Sequence, residues 1–195
     1  MPRHFTPLMT SDLHPNQCDL PQCLIRPSSA DDVAAMAAIY GDSVLTGTGS
    51  FETEAPAEAE LARRRDEVLD KGLPWLVLQS TCGVIGYAYA TPFRPRQAYR
   101  FSLEDSVYLH RSARAQGLGR LLLAELLARC TALGARQMLA VIGDSANQGS
   151  VALHRSLGFE AVGQFHHVGR KFERWLDIVL MQRALGPGAT LPPDA

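Results

Sequence analysis

The stretch Ser106-Val-Tyr-Leu-His-Arg-Ser-Ala-Arg-Ala-Gln-Gly-Leu-Gly-Arg120 decides how the rest of the chain is read. Ser106–Leu109 has the β-branched and aromatic content of a strand, and a short basic loop follows it. Glycines at 117 and 119 then open an apolar-striped segment, Leu118 to Leu133, that reads as a helix. Backbone N–H groups at a helix N-terminus lack partners inside the helix, and glycine lets a ligand approach the main chain. The pattern therefore suits an anion such as a pyrophosphate. Arg111, Arg114 and Arg120 add positive charge to the same loop. Spacing separates the nucleotide-binding possibilities. A dinucleotide fingerprint needs a third glycine where this chain has Leu122, and an acid ~20 residues later at a strand end, which is missing. A phosphate loop needs a Gly-Lys-Ser/Thr triplet, and the chain has none.

Outward from this stretch, helical and strand periods alternate. Leu24-Ile25-Arg26 is a short strand. Ser28, Ser29, Asp31 and Asp32 form a helix start ahead of the stripe Val33, Met36, Ala37, Tyr40. A second helix follows Pro56 and ends by Gly72. Trp75–Gln79 and Val84–Ala90 read as a hairpin about Ser80–Gly83. Beyond Leu133 come a strand at Gln137–Ile142, a helix at Ser150–Leu157, and strands at Phe159–Val168 and Trp175–Arg183. The expected class is α/β (α+β): three layers, with helices flanking a mostly antiparallel central sheet. Residues 1–23 are read as a flexible N-terminal extension, 24–185 as the one domain, and 186–195, rich in Gly and Pro, as a disordered tail.

The 195 residues are 46% hydrophobic and 20% charged, with 19 Lys+Arg against 20 Asp+Glu. Such a chain buries enough surface to fold without disulfides, and its net charge of -1 argues against nucleic acid or an anionic membrane as partner. No apolar run reaches the ~18 residues of a membrane span, so a soluble, cytoplasmic protein is expected. Cys82 and Cys130 read as small apolar core fillers, Cys18 and Cys23 as incidental. His14, Cys18 and Cys23 lack the paired spacing of a zinc site, and the adjacent His166 and His167 should face opposite sides of a strand, so no metal is expected. Arg63-Arg64-Arg65 and Arg170-Lys171 read as solvated faces.

The remaining pattern, Arg114-x-x-Gly117-x-Gly119, resembles the acetyl-CoA signature of the GCN5-related N-acetyltransferases. Asn147-x-x-Ser150-x-x-Leu153-His154-x-x-Leu157-Gly158-Phe159 is similar to that family's second cofactor motif, and the resemblance covers 24–185. Pro92-Phe-Arg-Pro-Arg-Gln-Ala-Tyr99, Glu104-Asp-Ser-Val-Tyr108 and Thr48-Gly-Ser-Phe-Glu-Thr-Glu54 resemble its phosphinothricin and methionine sulfoximine/sulfone acetyltransferase branch. The resemblance implies a central sheet splayed near the cofactor and direct acetyl transfer from acetyl-CoA to the α-amine of a small amino acid or analogue. A homodimer is also implied.

By the same resemblance Glu104 is the general base, directly or through a water, and His154 the general acid toward the departing thiol. Glu104 is expected just upstream of the Val107–Leu109 strand, and Asp105, its neighbour, should face the other side. Acetyl-CoA contacts are implied for Val107, Tyr108, Leu109, Arg114, Ala115, Gln116, Gly117, Leu118, Gly119, Arg120 and Asn147. For Asn147 a helix cap explains the residue equally well, and His154 is as readily a packed histidine. Acceptor contacts are implied for Arg94, Gln97, Ala98, Tyr99 and Phe51, the arginine fork suiting a carboxylate. No cysteine stands in the sequence beside Glu104 or the cofactor motif, which fits transfer without an acetyl-enzyme. Acetylation of a peptide N-terminus or a polyamine, and a non-catalytic acyl-CoA sensor, are the competing expectations.

Overall fold

A computed structural model describes residues 23–192. The expectations for 1–22 and 193–195, including His14 and Cys18, lie outside the described residues. Seven strands, β1 (Leu24–Pro27), β2 (Trp75–Ser80), β3 (Gly83–Pro92), β4 (Ser102–Leu109), β5 (Gln137–Gly143), β6 (Glu160–Lys171) and β7 (Arg174–Ala184), form one sheet in the order β1-β2-β3-β4-β5-β7-β6. Helices α1 (Val33–Thr46), α2 (Glu58–Asp70), α3 (Leu118–Ala132) and α4 (Gln148–Ser156) complete the fold. Every strand pairing is antiparallel except β4 with β5. Elements lie within a few residues of their sequence periods, but β4 begins at Ser102, so Glu104 sits inside the strand and not upstream of it.

Both sheet faces are covered, which explains why β2 reads as a continuous apolar run. Trp75 and Val77 face a core built with Met36, Tyr40 and Val44 of α1 and Leu61 and Val68 of α2. Leu76 and Leu78 face the other way, onto Leu122, Leu123, Leu126 and Leu127 of α3. Each such leucine contributes about 1.5–3 kcal/mol on burial. The entry to α1 is fixed by Asp32, which accepts from the Ser29 amide at 2.7 Å and from both Nη atoms of Arg26 at 2.7 Å. The Arg26 hydrogen bonds, opposed by burial and helped by Ser29, hold the Asp32 carboxyl down at about 2.

Three expectations about single residues are corrected. Cys130 is buried in the core as expected, whereas Cys82 is exposed on the β2–β3 turn and so fills no core position. Lys171 is buried and donates from Nζ to the Ser50 carbonyl at 2.8 Å, because β6 carries it beneath the loop that follows α1. Arg64 and Arg65 are partly buried, Arg64 bonding Glu52 and Glu60 and Arg65 bonding Ser28, so of that run only the exposed Arg63, paired with Glu60 and Glu67, matches a solvated face. Residues 186–192 form hydrogen-bonded turns, without helix or strand, and Arg136 donates to the Pro192 carbonyl.

Candidate active site

Strands β4 and β5 are paired over three rungs, Ser102↔Gln137, Leu103↔Met138 and Glu104↔Leu139. Beyond the last rung they part. A cleft of ≈870 Å³ opens between Asp105–Leu109 on one side and Ala140–Asp144 on the other, bounded by α4, the loop Gly47–Ser50 and the start of α3. The β5-facing edge of β4 has no strand partner there, so main-chain polar groups from Val107 to Leu109 border the cleft. On the opposite edge Val107, Tyr108 and Leu109 stay paired with Ala88, Tyr87 and Gly86 of β3.

The loop ahead of α3 lines the mouth of this cleft. Ala115 and Gly117 have φ values of 60° and 77°, in the left-handed region, and both border the cleft together with Arg114, Gly119 and Arg120. Among the described residues, no amide from Ala115 to Gly119 donates to a main-chain acceptor; the first to do so are Arg120 and Leu121, both onto the Gly117 carbonyl. These unspent donors at a helix N-terminus fit the diphosphate of a coenzyme. Gly119 is small for another reason: a Cβ there would stand 3.2 Å from Leu109 and 3.5 Å from Leu153. Leu118 is buried and anchors the first turn, and Gln116 donates its side chain to the Ser112 carbonyl, so neither residue lines the cleft. Arg114 donates to the Leu109 carbonyl at 3.2 Å and lies 3.8 Å from Asp42 of α1, which also pairs with Arg111.

Alternation along β4 puts Glu104, Ser106 and Tyr108 toward α1 and α2, and Leu103, Asp105 and Val107 toward α3. Glu104 is half-buried at the apex of the fork. Burial pushes its carboxyl pKa up, the charge of Asp105 adds to this, and the Arg94 guanidinium opposes it. Arg94 stacks over Phe93 at 4.4 Å, and Phe93 meets Tyr99 edge-on at 5.8 Å. Tyr99 closes a 3₁₀ turn with Gln97 and Ala98, all three exposed. The structure thus gathers Arg94 and Tyr99 in one cluster, with Arg94 within electrostatic reach of Glu104. Phe51 is placed elsewhere: its ring packs on Gly143 and Gly169, where a Cβ at 169 would lie 2.2 Å away.

On the other face His154 is buried against the edge of the Phe159 ring. Its Nε2 stands 2.9 Å from Asp105 Oδ2, and its Nδ1 lies 2.7 Å from the Ser150 carbonyl. Both nitrogens are engaged, so the general-acid role expected for His154 has no free ring N–H in this arrangement. Asn147 caps α4, its Oδ1 accepting from the Ser150 amide at 3.2 Å, which is the structural alternative foreseen for it. Cys130, distant from Glu104 in sequence, is brought near Asp105, but it is fully buried and its thiol is pushed up to about 12 by burial and by that carboxylate. A thiol so held is no nucleophile.

The residues that sequence reasoning missed are Asp105 as the partner of His154, and Asp42 as the counter-charge of Arg111 and Arg114. Asp105 had a usable signal. A carboxylate alternating toward an apolar face needs a buried partner, and His154 is a titratable residue within the α4 stripe. His166 and His167 have ring centroids 6.3 Å apart, and His167 sits at a bulge with φ 56°. Among the described residues no group of three or more His, Cys, Asp or Glu could hold a metal.

A forked mixed sheet with a glycine-opened helix at its mouth defines an acyltransferase-type scaffold, and the comparisons agree. Residues 36–159 match the Acetyltransferase (GNAT) family, and the chain belongs to that family. It is 47% identical over 195 residues to the phosphinothricin N-acetyltransferase of Alcaligenes faecalis, covering 95% of this chain and 99% of that one. It is 40% identical over 172 residues to the L-methionine sulfoximine/L-methionine sulfone acetyltransferase of Pseudomonas aeruginosa, covering 86% and 98%. A crystal structure of a GNAT superfamily phosphinothricin acetyltransferase from Sinorhizobium meliloti, in complex with AcCoA, superposes with a TM-score of 0.85 at 48% identity, covering 88% of this chain and 93% of that chain.

Proposed function

We propose that this protein transfers an acetyl group from acetyl-CoA to the α-amine of a small amino acid or amino-acid analogue of the phosphinothricin and methionine sulfoximine type, in a ternary complex. The support that carries the reading is Glu104, half-buried on the last β4–β5 rung one residue before the cleft opens, where burial raises its proton affinity and Arg94 opposes that rise. The relatives' names support the substrate class.

Acetyl-CoA supplies an activated acyl carbonyl on a thiol leaving group. The amides of 115–119, with Arg114 and Arg120, hold its diphosphate. The open edge of β4 receives the arm and polarises the thioester carbonyl, stabilising negative charge on its oxygen. An α-amino group is mostly protonated at neutral pH, with an ordinary pKa of about 8. Glu104 takes that proton, directly or through a water, and Arg94 draws the acceptor's carboxylate into place. The nitrogen–carbon bond forms as the carbon–sulfur bond breaks. The second proton, shed by nitrogen as the amide forms, balances the sulfur, so one proton is released per turnover through Glu104. Tyr99, Gln97 and Ala98 close the acceptor side, and Phe51 fixes the loop that bounds the cleft.

We further propose a homodimer. Val162, Phe165, Val168 and Trp175, on the outer hairpin β6–β7, are each more than half exposed, and a second copy would cover them. No described helix is long and apolar enough to cross a membrane, and the cytoplasm is the compartment proposed.

Thiol release from acetyl-CoA, screened over free amino acids and their sulfone, sulfoximine and phosphinate analogues, tests the assignment. Release with one of these, and not with peptide amides or polyamines, supports it. Preference for peptides would favour the N-terminal alternative, and tight binding without acceptor-dependent release would favour a sensor.

A further inference from the structure

The carboxylate next to the base is the buried group that the mechanism above leaves idle. Asp105 and His154 have side chains 1% and 5% exposed and form the one ion pair among the described residues in which both partners are so deeply buried. The pair bridges β4 to α4 across the cofactor side of the sheet, one residue from Glu104. Its proton count follows from its partners. The Ser150 carbonyl only accepts, so His154 Nδ1 carries a proton; the 2.9 Å contact of Nε2 with Oδ2 then requires one more, shared between nitrogen and oxygen. Asp105 Oδ1 is buried without a hydrogen-bond partner. Burying such a pair costs desolvation that its own hydrogen bonds must offset.

We propose that Asp105 is a positioning residue of the acetyl transfer: it pins the His154 ring and helix α4 to the floor of the cleft, and its charge acts on the adjacent Glu104. This rests on the function proposed above. The groups facing each member are few. Glu104 meets Asp105 on its own strand, Arg94 beyond the end of β3, and Tyr89 of β3; the β5 residue across from it, Leu139, is apolar. His154 meets Asp105, and Cys130 of α3 faces Asp105 from behind. Burial opposes a charged His154 ring, but the hydrogen bond and charge of Asp105 and the Ser150 carbonyl outweigh it and raise its pKa. With Asp105 on the other side of the strand, Glu104 is pushed the same way, toward holding its proton. One buried carboxylate thereby acts on both titrating neighbours.

The test pairs kinetics with spectroscopy on the full chain. Asp105→Asn keeps the shape and a group able to meet His154 Nε2, yet removes the charge. Because the pair is neutral overall while His154 holds its proton, Asp105→Asn also discharges the ring, and the acid limb of kcat/KM for the acceptor should move down by only a fraction of a pH unit, with KM for acetyl-CoA within a few-fold. His154→Gln leaves the Asp105 charge unbalanced and should move the limb up; a limb unmoved in both variants would show a merely structural pair and overturn the proposal. In unsubstituted protein labelled with ¹⁵N-histidine, with His154→Gln identifying the signals, both ring nitrogens should be protonated at pH 7. A ring neutral at that pH would overturn the proposal even if Asp105→Asn failed to fold. If the wild-type enzyme acetylates no amine, the functional reading fails, and the ring signals still decide the pairing.

Discussion

Glu104 and Leu139 face each other at the last rung on which β4 and β5 run together, and the cleft opens from the next residue onward. A carboxylate at this position is half-buried, and it stands one residue before the first β4 residue that lines the cleft, Asp105.

Glu104→Gln should therefore lower kcat by about 10²–10⁴-fold and leave acetyl-CoA affinity nearly unchanged, by steady-state kinetics and calorimetry. Wild-type kcat/KM should rise as pH passes upward through the raised pKa of Glu104, because only the ionised carboxylate accepts a proton. Arg94→Ala removes the one charge that favours this ionised form, so the limb should move to higher pH while KM for the acceptor rises.

The cradle makes a separate prediction. Gly117 adopts φ 77° with nothing within 4 Å of a built Cβ, so Gly117→Ala meets backbone strain and no clash. A cost of about 1–2 kcal/mol, seen as a lower Tm, should accompany a higher KM for acetyl-CoA with little change for the acceptor. Gly119→Val, by contrast, must push on Leu109 and Leu153 and should be the more damaging of the two.

The loop after α1 is latched by Lys171 onto Ser50, by a 2.7 Å hydrogen bond from Thr48 to Asp144, and by Phe51 against Gly169. Gly169→Ala would place a methyl inside the Phe51 ring and should cost about 1–3 kcal/mol by urea unfolding. Phe51→Ala should cost stability alone yet rescue part of the Gly169→Ala loss. Strict additivity of the two would show that the contact is not made.

Asp32 gives the fold an acid-sensitive element. Its carboxyl is held at about 2 by Arg26, below the ordinary value of about 3.9, so it binds fewer protons folded than unfolded. Its stabilisation is present above about pH 4 and is lost as pH falls through 2. Asp32→Asn should lower stability at pH 7, by about 0.5–2 kcal/mol as for loss of a cap, and the difference from wild type should shrink toward pH 2.

Much of this was legible in the sequence because the signals were local. Strand periods, the helix after Gly117, and the glycine spacing that rejected dinucleotide and phosphate-loop readings all lie within a few residues of one another. What was not legible depends on elements far apart in sequence. The fork needs β4 and β5 to part after three rungs, and no period encodes where pairing stops. Lys171 looked solvated because nothing in Arg170-Lys171 tells that Ser50 lies above it, 121 residues away in sequence. Likewise His154 reads equally as the acid toward a thiol or as a packed histidine, and its partner Asp105 lies 49 residues away, beyond any local period.

The most direct measurement is a crystal structure with coenzyme A and an amino-acid acceptor bound together. The diphosphate should lie on the amides of 115–119, the thiol arm along the open edge of β4, and the acceptor nitrogen within hydrogen-bond reach of Glu104, directly or through one water. A coenzyme bound outside the fork, or an acceptor amine remote from Glu104, would contradict the account.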